Sequence, residues 1–201
     1  MAIPINPVSV VLQCHPGTCN QAVHRVELCV GWTQGGALSL TYVLKGDIAR
    51  LRISIPRPPR RADHLWEHTC FEAFVGVKGK VEYYEFNFAP SGEWAAYFFR
   101  SYRDGAPIDY GELAPNITVR SAEDSLDLDA IIRLDLLPMI APRARLRLGL
   151  SAVIEENDGI LSYWALKHPP GKPDFHHPDA FALEIETPEA ESLNESPMVK
   201  R

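Results

Sequence analysis

Residues 126–135 read LDLDAIIRLD. Leu126, Leu128, Ala130, Ile132 and Leu134 share one parity, while Asp127, Asp129, Arg133 and Asp135 hold the other. Successive side chains of an extended chain point to opposite faces, so this stretch builds a strand with one apolar face buried and one polar face wet. A helix needs apolar residues three and four apart. No stretch of a dozen residues in this chain shows that spacing.

The same alternation recurs on both sides of this segment. Ala22, Val26, Leu28 and Val30 share a parity, as do Leu38, Leu40, Tyr42 and Leu44 after the Gly35-Gly36 turn, which makes the pair a predicted hairpin. Ile53 and Ile55 extend the pattern. Leu146, Leu148, Leu150, Ala152 and Ile154 repeat it late in the chain. Turn signals fall between the runs at Gly79-Lys80, Pro90-Ser91-Gly92, Asp104-Gly105 and Asn157-Asp158-Gly159. About a dozen short strands need two packed layers to cover their apolar faces, so the expected fold is all-β: an antiparallel, jelly-roll-like β-sandwich with almost no helix. One short helical turn is expected near Leu136 to Ile140, limited by Pro138 and Pro142.

Of the 201 residues 46% are hydrophobic, enough for one sizeable core. Residues 1–187 are read as a single ligand-binding domain and 188–201, which lose aromatic and β-branched residues, as a disordered tail. Twenty Lys and Arg stand against 26 Asp and Glu, and the formal charge of -6 gives no general attraction to phosphate backbones, so nucleic acid is not an expected partner. No apolar run approaches the roughly 20 residues that span a bilayer, and the N-terminal stretch lacks a basic flank, so no membrane partner and a cytoplasmic location are expected. Cys14 and Cys19 flank a Pro-Gly turn and are able to pair or to bind metal, but with only four cysteines in the chain reduced thiols are the expectation.

Two Pro-rich stretches stand apart from the strands, Ile55 to His64 and Lys167 to Asp179. Proline supplies no amide to a ladder, so both read as ordered loops. Trp66 follows the first and Trp164 precedes the second, and two indoles at such junctions are placed to line one cleft and grip a flat ring. Between them, Leu65 to Val77 reads as a strand whose even positions are Trp66, His68, Cys70, Glu72 and Phe74. Glu72 is the odd member. It either faces solvent beside a core tryptophan or accepts hydrogen bonds from a ligand, because an unpaired buried carboxylate is costly. On the next strand Tyr84, Phe86 and Phe88 oppose Tyr83, Glu85 and Asn87. This aromatic face reads mainly as core, with Asn87 and Arg100 able to reach a shared site. Arg57, Arg60, Arg61, Lys167, His168 and Lys172 sit on the two loops, either as solvated charge or as a rim favouring an anionic ligand.

His64-Leu65-Trp66-Glu67-His68 matches H-x-x-E-H in letters, but that zinc chemistry needs a helix, and here a loop enters a strand. No dinucleotide fingerprint, nucleophile elbow or phosphate loop occurs. The residues therefore suggest a binding module with no catalytic and no metal-ligating residue. A protein-interaction domain with buried tryptophans and a metal-dependent enzyme using His64 and His68 are the alternatives.

LWEHTCFEAFVGV, YYEFNFAPSGEWAAYFF and LGLSAVIEENDGILSYWALKHPPGKPDFHHPDAFALEIE, in that order, resemble the DOMON-like superfamily, and in particular bacterial proteins similar to family 9 carbohydrate-binding modules, over Leu28 to Ile185. The resemblance implies a β-sandwich in which Trp66 and Trp164 clamp a sugar ring, Glu72 accepts from its hydroxyls, and an arginine on a neighbouring strand, with Arg100 the candidate, adds a contact. It implies a small-molecule, sugar-like partner. Some members of the superfamily bind haem, but with Met1, Met139 and Met198 as the only methionines no His/Met pair is supported, and no cofactor is expected.

Overall fold

The computed structural model describes residues 4–19, 21–108 and 111–189. Its twelve strands are β1 (Ile5–Cys14), β2 (Val23–Trp32), β3 (Leu38–Gly46), β4 (Cys70–Val77), β5 (Tyr83–Phe88), β6 (Trp94–Ser101), β7 (Asp104–Pro107), β8 (Asn116–Ser121), β9 (Ser125–Ile132), β10 (Arg145–Glu155), β11 (Leu161–Ala165) and β12 (Leu183–Glu186). The strand ladders are all antiparallel. One layer runs β1-β2-β3-β9-β8 and the other β7-β6-β5-β4-β10-β11, with β12 paired to the first half of β10. β1 joins them: Val8 to Leu12 pair with β2, while Gln13 and Cys14 pair with β11. One strand thereby turns the corner of a sandwich.

The parity that defined the strands also fills the core. Leu28, Leu40, Tyr42, Leu128 and Ile132 of one layer pack against Phe71, Phe86, Leu148, Ala152 and Trp164 of the other. Tyr42 crosses the interface, its hydroxyl donating to the carbonyl of Glu72 at 2.7 Å and its ring lying 5.0 Å from that of Phe71. The β2–β3 hairpin closes through Thr33, whose Oγ1 accepts from the Ala37 amide at 3.0 Å, with Gly36 in the left-handed region that its missing Cβ permits.

Several local expectations are corrected. Ile53 and Ile55 belong to no strand, and Ile55 is exposed; Leu51 makes only an isolated bridge to Glu156. The strand read from Leu65 starts at Cys70, because His64 takes a left-handed backbone and Leu65–Glu67 curl into one 3-10 turn. The helical turn near Leu136 to Ile140 lies earlier, at Leu134–Leu136, and four further single 3-10 turns occur among the described residues. The hairpin turn read at Asp104-Gly105 lies at Tyr102-Arg103, with Arg103 at φ 56°. Gly105 is in β7, where any Cβ would strike the Phe99 ring.

Cys14 and Cys19, expected to be reduced, are joined as a disulfide, the turn between them bringing the two Cα atoms to 5.7 Å. Of the expected tail 188–201, residues 190–201 lie outside the described residues. The Pro188 carbonyl accepts from the Arg143 amide, and Glu189 pairs with the Arg143 side chain.

Candidate functional site

The outer face of the β6-β5-β4-β10-β11 layer is not wet, as simple alternation suggests. All six residues of β5 are buried, because the second Pro-rich loop folds back over this face. Phe175 and Phe181 pack there with Phe74, Tyr83 and Val153 in a second, smaller apolar cluster. Between loop and sheet lies a cavity of about 330 Å³. Glu72, Phe74, Glu85 and Val153 form its floor, Trp66, Tyr97 and Tyr163 are aromatic walls, and Arg103, Phe175 and His176 close it.

Register places these groups. Glu72 stands opposite Asn87 on one side and Ser151 on the other, and Phe74 stands opposite Glu85, which faces Tyr97 in turn. Ser151 donates its hydroxyl to Glu72 Oε2 at 3.2 Å, and Asn87 Nδ2 donates to Glu85 Oε1 at 2.8 Å. Asn87 Oδ1 is buried with no protein partner.

Two carboxyl groups on this dry face disturb each other. Burial first, then the charge of Glu85, push the Glu72 carboxyl well above the carboxylate range, and Ser151 and Arg103 only moderate the rise. Burial pushes Glu85 up to about 7 against the opposing pull of Asn87 and Arg103. Interacting carboxyls titrate as a pair, each raising the cost of ionising the other.

His176 is wedged among aromatic rings, 5.1 Å from Phe74 and 5.0 Å from Phe99 by ring centroids. Burial and the nearby Arg103 lower its pKa to about 4, so the ring is neutral at pH 7. Tyr83 accepts from the Arg103 amide at 3.2 Å, and its hydroxyl lies 2.9 Å from His176 Nδ1. The other ring nitrogen, Nε2, lies 3.7 Å from Glu85 Oε2. Arg103 is tied to Asp174 at 2.9 Å, and Asp174 also accepts from Tyr102 at 2.7 Å, which pins the loop to the β6–β7 turn.

Of the residues read from sequence, Trp66 and Glu72 line the cavity and the other two do not. Trp66 is 37% exposed and meets Tyr97 edge-on at 5.8 Å. Trp164 is 6% exposed and lies in the core between the layers, its indole Nε1 donating to Ser162 at 3.1 Å. Its register partner is Ala152, an inward residue, whereas Tyr163 is opposite Val153 and faces the cavity. Arg100 points to solvent and pairs with Asp104 at 3.2 Å.

Arg103 takes the place expected of Arg100, because the turn lies at Tyr102-Arg103 rather than at the Asp-Gly dipeptide. The aromatic walls Tyr97, Tyr163 and Phe175, the second acid Glu85 and His176 were not singled out as site residues. For Tyr97 and Glu85 a usable signal existed, since Glu85 sits among aromatics on the face that also carries Asn87.

Of the two readings of the loop cations, solvated charge fits the structure, and they form no rim at this cavity. Arg60 and Arg57 turn to Glu93, at 2.6 and 3.8 Å, Arg61 holds Asp63 at 2.7 Å, and the His168 ring meets the Gln13 carbonyl. Nor do the two histidines of the H-x-x-E-H string converge: His64 faces Glu67 and His68 faces Glu155, at 3.1 and 2.7 Å. Among the described residues no group of three or more His, Cys, Asp and Glu side chains is placed to hold a metal ion.

No protein-family model matches this chain, and no curated protein matches it significantly. Solved structures do share its fold. A provisionally assigned carbohydrate-binding protein from Bacteroides uniformis superposes with a TM-score of 0.64 at 16% identity, over 90% of this chain and 86% of that one. A family 9 carbohydrate-binding module from Caldicellulosiruptor kristjanssonii in complex with cellotriose gives 0.58 at 11% identity, over 96% and 88%. A family 9 module from the same organism in complex with glucose gives 0.53 at 11%, over 88% and 83%. At these identities the likeness is one of fold: the chain is an antiparallel β-sandwich of the kind that carbohydrate-binding modules use.

Proposed function

We propose that this protein is a non-catalytic module that binds a sugar or sugar-like small molecule in the cavity on the outer face of the β6-β5-β4-β10-β11 layer. The observation that carries the proposal is the combination, in one cavity, of aromatic walls with buried carboxyl groups. A pyranose presents C–H surface to an aromatic ring and hydroxyls to polar groups, and a cavity of about 330 Å³ is within the range of small-ligand sites. Trp66 serves as the apolar platform and Glu72 as the hydroxyl acceptor. The second aromatic wall is Tyr163 with Phe175 rather than Trp164. The bound cellotriose and glucose of the two family 9 modules of like fold support the ligand class.

A protein-interaction domain is the rival reading. It is favoured by the burial of Trp164, and opposed by the partial exposure of Trp66 at the cavity mouth and by the polar groups beneath it. Titration of the protein with glucose and cellotriose, followed by tryptophan fluorescence, separates the two. Saturable quenching that disappears in Trp66→Ala supports the sugar reading; a flat response to these and to a wider panel of neutral, basic and acidic sugars refutes it.

A further inference from the structure

Resting on the sugar reading, we infer that the preferred ligand is an amino sugar whose ammonium group sits between the carboxyls of Glu72 and Glu85. A neutral hydroxyl both donates and accepts, whereas an ammonium offers three donors and no acceptor. The floor offers acceptors. Glu72 and Glu85 are both buried and lie on neighbouring strands. Both line the cavity, whereas Asn87, opposite Glu72 and bonded to Glu85, does not, and its buried carbonyl oxygen is without a protein partner.

Donors in the same place are mostly spent. The Ser151 hydroxyl is given to Glu72, one Asn87 N–H to Glu85, and the Arg103 guanidinium to Asp174 and Tyr102.

Charge points the same way. Glu72, Glu85 and Asp174 are three carboxyl groups beside one guanidinium, with His176 neutral among them. Arg103 lowers the pKa of both Glu72 and Glu85, but burial outweighs it and both carboxyls stay raised. Two acids on a dry surface are costly until a positive charge lies between them, and a ligand ammonium supplies that charge while its ring rests on Trp66. The acetylated form of the same sugar lacks the charge and adds bulk. It gains none of this stabilisation.

The test is a calorimetric titration of the full chain with glucosamine, glucose, N-acetylglucosamine and cyclohexylamine, below the pKa of the amines, repeated on Glu85→Gln. Glucosamine is expected to bind at least about tenfold more tightly than glucose or N-acetylglucosamine, with the preference falling to about threefold or less in the variant. Glucose binding as tightly as glucosamine overturns the ammonium inference and leaves the sugar reading in place. Cyclohexylamine binding with no response to any of the three sugars overturns the sugar reading and the amino-sugar assignment with it. Because the wild-type comparison stands alone, the test does not depend on how the variant folds.

Discussion

Trp66 and Trp164 stand on opposite faces of the same sheet, one over the cavity on its outer side and the other in the core on its inner side. Their substitutions should therefore fail in different ways. Trp164→Ala empties a space in a close-packed core, and a loss of about 3–5 kcal/mol in denaturant unfolding is expected. Trp66→Ala removes a half-exposed indole on a 3-10 turn, and a stability change of about 1 kcal/mol is expected together with loss of the ligand response. A Trp164→Ala protein as stable as wild type would contradict the placement of that indole in the core.

The split between these two residues shows what the sequence makes legible. Parity along a strand is local, and it correctly put Leu126 to Leu134, Leu146 to Ile154 and the β2–β3 hairpin on buried faces. Which face of one strand joins which face of another depends on register across the sheet, and that is a long-range property. Trp164 and Trp66 both flank Pro-rich loops, but the pairing of Trp164 with Ala152 turns the indole inward. Glu72 raised two readings because its burial depends on a loop a hundred residues later folding over β4. Arg103 was missed because an Asp-Gly dipeptide is a strong turn signal, and here Gly105 is needed inside the strand, against the Phe99 ring.

Glu85 should make stability depend on pH in a direction opposite to that of an ordinary ion-paired carboxylate. Its folded pKa is raised from 4.5 to about 7, so across that window the folded chain keeps a proton that the unfolded chain has released, and stability falls as pH rises. The full effect of a shift this large is on the order of 3 kcal/mol. His176 opposes it: its pKa is lowered from 6.5 to about 4, so its contribution is lost as pH falls through that window. The informative quantity is thus the difference between Glu85→Gln and wild type. That advantage of the variant should grow from pH 4.5 to about 7 and then level off, with Glu72 adding in the same direction once its neighbouring charge is gone. Equal unfolding midpoints for the two proteins across this range would show that Glu85 is not held in a dry environment.

Arg103 and Arg100, three residues apart, should separate as a loop anchor and a surface charge. Arg103 ties the β6–β7 turn to Asp174 in the second Pro-rich loop, and its left-handed backbone is one that asparagine tolerates. Arg103→Asn should keep the fold while hydrogen exchange in residues 167–179 rises severalfold. Arg100→Ala removes an exposed ion pair with Asp104, so it should change stability by no more than about 0.5 kcal/mol and leave exchange in the loop as it was. The same exchange pattern in both variants would remove Arg103 from its anchoring role.

The Cys14–Cys19 bridge closes the start of the β1–β2 connection, and the loop over the cavity leans on that connection. His15, next to Cys14, has its Nε2 3.0 Å from the Gly171 carbonyl, and His168 reaches back to the Gln13 carbonyl at 2.9 Å. With a separation of only five residues the entropic gain from the bridge is modest, about 2 kcal/mol. Reductant should therefore lower the unfolding midpoint of the wild-type chain and increase exchange near Gly171, where the His15 contact would loosen. The double variant Cys14→Ser, Cys19→Ser should start at the reduced protein's midpoint and show no response to reductant, since Cys29 and Cys70 are already free thiols. A wild-type midpoint that reductant does not move would mean that the hydrogen bonds of His15 and His168, not the covalent bridge, hold the loop against β1.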